Sequence, residues 1–128
     1  MKIVGTAEGG ARLWRLSSAD GSWQEENDLI LKVVFAMGGE VDLISVDRFV
    51  QEVEAFRGEY LSGDGPIFAL YETVASIASA ETRERRRLSP SERELIRAIR
   101  RKTFVLFEEQ LQRDGKPGAD PGLAQSPS

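Results

Sequence analysis

The sequence predicts a mainly α-helical protein, with a bundle of about four helices, a short N-terminal β-hairpin and a disordered C-terminal tail. Apolar residues recur at helical spacing over much of residues 46–111. Two short β-prone runs flank a glycine pair near the N-terminus, and the chain becomes rich in Gly, Pro and Ser after Asp114. We expect residues 1–114 to form one globular domain and residues 115–128 to be a disordered tail.

The composition removes several kinds of chemistry. The 128 residues include no Cys and no His. Without Cys there are no disulfides, thiolate nucleophiles or Cys-ligated metals. Without His the chain lacks the commonest general base at neutral pH and the commonest zinc ligand. Carboxylate, Lys, Tyr or Ser chemistry and magnesium held by Asp and Glu remain open, but surface solvation accounts better for the acidic residues. We expect a protein that is not an enzyme and that uses no cofactor and no metal.

The hydropathy pattern predicts no membrane association. The longest nearly apolar run, residues 29–37, is interrupted by Lys32, whereas a transmembrane helix needs about 20 apolar residues. The first residues turn polar at once and show no signal-peptide pattern. We expect a cytoplasmic location.

The N-terminal residues 2–17 predict the hairpin. Glu8-Gly9-Gly10 provides the turn, because glycine readily adopts the positive φ of tight hairpin turns. Alternation along the second strand places Trp14 and Leu16 on one face. A third strand after the turn at 18–21 also fits the pattern, although less well.

Residues 23–37 predict the first helix. Ser22 and Glu25 have the spacing of a capping box, and Gly38-Gly39 is a typical helix stop. The alternative is a buried strand over residues 29–36 followed by a second strand over 41–46, since periodicity cannot separate a buried helix from a buried strand. We favour the helix and leave the strand pair open.

Two further helices follow from apolar stripes at spacings of three and four. The first stripe comprises Val46, Phe49, Val50, Val53, Phe56, Tyr60 and Leu61. Residues 62–66, Ser-Gly-Asp-Gly-Pro, break the chain. The third predicted helix begins at Ile67 and runs into the arginines that start at Arg83.

The strongest local helix signal in the sequence marks the start of the fourth predicted helix. Ser89 suits the N-cap, Pro90 the first helical position, and Glu92 completes a capping box. The helix is predicted to run from Pro90 to about Arg113. Its predicted buried side comprises Leu95, Ile96, Ile99, Leu106, Phe107 and Leu111.

The charge distribution singles out one segment. The whole chain has a formal net charge of −4, whereas residues 83–102 contain nine basic and three acidic residues. The candidate partner-binding residues are Arg85, Arg86, Arg87, Arg93, Arg97, Arg100, Arg101 and Lys102. The helical spacing of Arg93, Arg97, Arg100 and Arg101 predicts an exposed basic stripe opposite Leu95 and Ile99.

Residues 88–99 resemble the opening of the helix-turn-helix domains of bacterial response regulators. The resemblance implies DNA binding through a second, recognition helix. Residues 100–107 depart from that family, because they contain no Gly-bearing turn.

We therefore expect a protein–protein interaction module, such as an adaptor, inhibitor, immunity-type partner or assembly factor, that presents its basic helix face to an acidic partner. Arginine suits this role because its planar fork matches carboxylates. The alternative is a nucleic-acid-associated regulator that binds phosphates through residues 83–102. A homodimer that pairs acidic with basic faces also fits the charge asymmetry.

Overall fold

A computed structural model describes residues 2–5, 11–26 and 44–125. In these ranges a small sheet precedes three α-helices and a short 3₁₀ helix. The strands are β1 (Lys2–Gly5), β2 (Ala11–Leu16) and β3 (Trp23–Glu26); the helices are α1 (Val46–Tyr60), α2 (Pro66–Arg83) and α3 (Pro90–Arg113); the 3₁₀ helix is Pro121–Gln125. The mainly helical class is confirmed, whereas the described ranges hold three α-helices and do not confirm a bundle of four.

The three strands form an antiparallel sheet in the order β1-β2-β3. The two strands of the predicted hairpin are confirmed, with Ile3 opposite Leu13, while its predicted turn at residues 8–10 lies outside the described ranges; the third strand is present. The predicted helix start at Trp23 is wrong. Ser22 does not cap a helix; its hydroxyl donates to Asp20 Oδ1 at 2.6 Å and helps close the β2–β3 turn. The rest of that predicted helix, and the alternative strand pair, lies mainly in residues 27–43, outside the described ranges.

Helices α1 and α2 form where the sequence predicts them, although Tyr60 of the α1 stripe is 56% exposed and Leu61 lies just beyond the helix. Ser45 caps α1, because its hydroxyl accepts from the backbone N–H of Arg48 at 3.1 Å. Val50 and Val53 are buried on the inner side of α1. Helix α2 begins at Pro66, one residue before the predicted start. No helix in the described part of the chain is long and apolar enough to cross a membrane.

Helix α3 has the predicted ends and the predicted capping box. It stays helical through residues 100–107, so the turn of a helix-turn-helix motif is not present there. Its buried side differs from the prediction, because Leu95 is 50% exposed while Phe104 is completely buried. The buried side of the helix therefore lies nearer Phe104 than the sequence predicts, because the helix packs between α1 and α2.

The core lies where the sheet meets α1 and α3. Its buried cluster comprises Trp14, Trp23, Val50, Val53, Phe104, Phe107 and Leu111. Ala119, Leu123 and Ala124 pack against this cluster. The prediction of disorder therefore fails for residues 115–125, and residues 126–128 lie outside the described ranges. The two tryptophans offer the tail an apolar surface that its own composition does not reveal.

A buried ion-pair network joins the helices to the sheet. Arg57 is fully buried, and its guanidinium contacts Glu54 Oε2 at 3.0 Å and Glu108 Oε2 at 2.7 Å. Glu108 also accepts from Trp23 Nε1 at 3.0 Å and from the backbone N–H of Asp120 at 3.1 Å. One carboxylate thus holds β3, α1 and the C-terminal residues together.

Candidate functional site

Two of the predicted site residues are engaged in ion pairs within the molecule. Arg86 binds Glu92 through its two terminal guanidinium nitrogens, at 2.7 and 3.0 Å, and contacts Glu84 at 3.0 Å. The bond from Arg86, with those from Ser89, lowers the pKa of Glu92 to about 2. Arg86 therefore ties the end of α2 to the first turn of α3.

Arg101 is held in the same way. Its guanidinium contacts Glu94 at 3.0 Å and Asp47 at 3.5 Å, which links α3 to the first turn of α1. Both ion pairs are partly exposed, and such pairs contribute about 0–1 kcal/mol to stability. These ion pairs matter more for binding. Because Arg86 and Arg101 already have carboxylate partners, they are less available to an external anion.

The other six predicted residues have no carboxylate within 4.0 Å in the described ranges. They are Arg85, Arg87, Arg93, Arg97, Arg100 and Lys102. Arg93 donates to the carbonyl of Leu88 at 3.1 Å, which places its side chain along the start of α3. These six cations keep their capacity to pair with an external anion.

The structure gathers three of the six around one groove. Arg93, Arg97 and Arg100 line a cavity of about 570 Å³ between the N-terminal turns of α1 and α3. Arg85, Arg87 and Lys102 do not line it, and the predicted single stripe is therefore divided. We call this cavity the arginine groove; its lining residues are Ser45, Asp47, Arg48, Gln51, Ala78, Leu88, Arg93, Ile96, Arg97 and Arg100.

Arg100 differs from the exposed position that the sequence predicts. It is partly buried, and its pKa is lowered because burial disfavours the charged form, while the negative charge of Glu54 opposes that change. An anion that reached Arg100 would offset the cost of burying this charge. Arg93 and Arg97 remain exposed at the mouth.

Helix α1 supplies groove residues that lie outside the predicted site, among them Arg48 and Gln51. Arg48 lies on α1, far in sequence from the basic segment, and pairs with Glu52 at 3.0 Å. Gln51 donates from Nε2 to the carbonyl of Arg97 at 3.1 Å. Its buried Oε1 accepts no hydrogen bond within the described part of the chain. Helix periodicity could have placed both residues on the polar side of α1, but not opposite α3.

The arrangement suits anion binding. Four arginines and one aspartate line the groove, so its lining carries a positive charge within a chain that is negative overall. No group of three or more acidic residues in the described ranges is placed to hold a metal ion. Guanidinium groups bind carboxylates or phosphates through paired N–H donors. The groove can therefore bind either kind of anion.

Comparisons with known proteins give no further guidance, since no protein family, curated protein or solved structure matches this chain.

Proposed function

We propose that this protein is a non-catalytic interaction module that binds an acidic segment of another protein in the arginine groove. One observation carries the proposal: Arg93, Arg97 and Arg100 converge on one groove without a carboxylate partner in the described ranges, although Arg86 and Arg101 nearby have such partners. A chain with excess acidic residues could have neutralised all five. The three arginines that remain unpaired define the binding surface.

The lining of the groove favours a polypeptide. Ala78, Leu88 and Ile96 line it together with the arginines. A polypeptide can place apolar side chains against these residues and carboxylates against the guanidinium groups.

Nucleic acid is less well matched to this groove. Asp47 lies in the lining, and Glu52 and Glu94 are the sequence neighbours of Gln51 and Arg93. A nucleic acid carries a charge on every phosphate, whereas a polypeptide can place neutral residues beside these carboxylates. Among the described residues, no aromatic side chain lines the groove to stack on a base.

The proposal is tested by fluorescence anisotropy with a labelled oligoglutamate peptide and with labelled DNA and RNA of similar length. Titrations are run at low salt and at about 0.15 M salt, because surface ion pairs weaken as the Debye length shortens. The test variant is Arg93→Glu/Arg97→Glu. The matched control is Arg12→Glu/Arg113→Glu, which changes the net charge equally at exposed arginines outside the groove.

We expect the peptide to bind the native protein and the control, and to bind the test variant at least about tenfold more weakly, which corresponds to about 1.4 kcal/mol. Equal losses in both variants would mean that overall charge, and not the groove, attracts the peptide, and would sink the proposal. Tighter binding of DNA or RNA than of the peptide would favour the nucleic-acid regulator instead. Light scattering on the same samples tests the homodimer. If the protein dimerises through its basic face, the native protein has twice the mass of one chain and the test variant has the mass of one chain.

A further inference from the structure

A second cavity lies beside the arginine groove, in the cleft between α1 and α2. Its volume is about 200 Å³. Ala55 and Gly58 of α1 form one wall, and Ala75 and Ala78 of α2 form the other. We call this cavity the alanine pocket.

The cleft is open because α2 packs mainly against α3 and makes little contact with α1. The alanines and Gly58 that face each other across it are small. Although Tyr71 Cδ1 lies 3.5 Å from the Cβ position of Gly58, the described side chains leave part of the gap open. Ala75 and Ala78 are exposed although they lie next to the core. The pocket therefore offers apolar walls that the described parts of the molecule do not cover.

Two of the polar residues that line the pocket, Glu54 and Tyr71, are already partnered, and a third, Glu59, is exposed to solvent. Glu54 Oε1 accepts from the Tyr71 hydroxyl at 2.8 Å, and Glu54 Oε2 accepts from Arg57 at 3.0 Å. Buried polar groups that have partners gain little from a new ligand. The part of the pocket that remains to be used is its apolar wall.

Arg100 joins the two cavities. Its side chain lines both the arginine groove and the alanine pocket, as does Ala78. A ligand carboxylate that binds Arg100 therefore lies beside the entrance of the pocket. A cavity of about 150 Å³ in another protein holds a benzene molecule, so the alanine pocket is large enough for one branched or aromatic side chain.

We propose that the alanine pocket receives one apolar side chain of the acidic partner, next to the carboxylate that pairs with Arg100. The inference rests on the proposed function, because the acidic segment must first lie in the arginine groove. It specifies the partner further: the recognised segment carries a branched aliphatic or aromatic residue adjacent to its acidic residues. The carboxylates would supply attraction, and the apolar residue would supply most of the selectivity.

The test uses two labelled peptides that differ at one position. The first has a leucine flanked on each side by two glutamates, and the second has serine in place of that leucine. Both are titrated by anisotropy against the native protein and against Ala75→Leu, which places a larger side chain in the pocket. Ala69→Leu is the matched control, because Ala69 is an exposed alanine on the same helix that does not line the pocket.

We expect the leucine peptide to bind the native protein about tenfold more tightly than the serine peptide, which is the lower end of the range for burying a large apolar side chain. Ala75→Leu should reduce this preference to about twofold or less, while Ala69→Leu should preserve it. If Ala75→Leu fails to fold by circular dichroism, Ala55→Leu takes its place, because Ala55 lines the pocket but not the arginine groove.

The two proposals fail in different ways. If both peptides bind the native protein equally and lose affinity in Arg93→Glu/Arg97→Glu, the proposal for the arginine groove is supported. The alanine pocket then does not receive the apolar side chain. If neither peptide binds at low salt, the proposed function fails, and the inference about the pocket fails with it. A leucine preference that Ala75→Leu leaves intact would place the anchor elsewhere and overturn the inference.

Discussion

The protein contains two contrasting groups of arginines. Arg57 is buried, and its guanidinium donates to Glu54, to Glu108 and twice to the carbonyl of Gly21. Arg93 and Arg97 line an exposed groove and have no carboxylate partner in the described ranges. The same side chain therefore stabilises the fold in one place and is left available for a ligand in the other.

The difference lies in the surroundings. Arg57 also lies 4.1 Å from the ring centre of Phe107, so its flat guanidinium is covered by an aromatic face as well as by carboxylates. Asp47 is the acidic residue among the residues that line the groove, and Arg101 already contacts it at 3.5 Å. Whether an arginine is structural or available depends on the carboxylates that folding brings to it.

The largest expected effect comes from removing the buried charge. Arg57→Met leaves Glu54 and Glu108 buried without their main cation, so we expect the free energy of unfolding to fall by about 3–5 kcal/mol. Urea denaturation followed by circular dichroism measures the loss, and a variant that no longer folds meets the same expectation. Arg113→Met, an exposed position on α3, is the control. A loss below about 1 kcal/mol in Arg57→Met would remove the contrast between the two groups.

A smaller effect is expected where the C-terminal residues contact the buried region. Gly118 has φ +87°, and a Cβ there would lie 2.8 Å from Trp14 Cε3 and 2.9 Å from Trp23 Cβ. Gly118→Ala should therefore cost roughly 1–3 kcal/mol more than Gly115→Ala. Gly115 has a similar φ of +73° but nothing within 4 Å of its Cβ position, so the pair separates crowding from backbone strain.

Chemical denaturation and tryptophan fluorescence together test this prediction. We expect Gly118→Ala to shift the tryptophan emission toward longer wavelength, because water reaches the two rings when the tail moves away. Equal stability of the two alanine variants would show that residues 115–125 do not bear on the tryptophans in solution.

The titration of Glu54 gives a pH-dependent effect. Burial raises the pKa of Glu54. The positive charge of Arg57 and the hydrogen bonds of Glu54 with Thr103 and Tyr71 only partly oppose this rise. Between the ordinary pKa of glutamate and the raised one, the folded state holds a proton that the unfolded state has lost. The contribution of Glu54 to stability therefore decreases as pH rises through this interval.

Glu54→Gln removes that contribution. The difference in unfolding free energy between variant and native protein should shift in favour of the variant as pH rises from 4 to 8, measured by urea denaturation in steps of about one pH unit. Glu52→Gln, an exposed residue on the same helix, should show no such trend. A difference that shifts the opposite way would mean that Arg57 holds Glu54 charged in the folded state.

Local signals predicted much of the helical part of the fold. The capping box at Ser89 and Glu92 is a contact between residues three apart, so the sequence alone could place the start of α3. The same spacing at Ser22 and Glu25 was misleading. Trp23 instead forms a hydrogen bond with Glu108, 85 positions away, and pairs in the sheet with Leu16. Such long-range contacts outweigh a local helix signal.

The candidate site was predictable only in part, for the same reason. Charge counting finds the basic segment, but it cannot separate Arg86 and Arg101, which pair with carboxylates, from Arg93 and Arg97, which have no carboxylate partner among the described residues. It also missed Arg48, because the approach of α1 to α3 depends on tertiary packing. The burial of Arg57 carries no signal in its immediate sequence.

The smallest expected effect on stability is in the groove. Arg93→Met and Arg97→Met each remove a charge that no described carboxylate neutralises, and methionine preserves helix propensity. We expect each to change the unfolding free energy by less than about 0.5 kcal/mol, while binding of the acidic peptide weakens. Urea denaturation and anisotropy on the same preparations measure both quantities. If either variant lost more than about 1 kcal/mol, the groove arginines would contribute to the fold as Arg57 does, and their availability for a partner would no longer distinguish them.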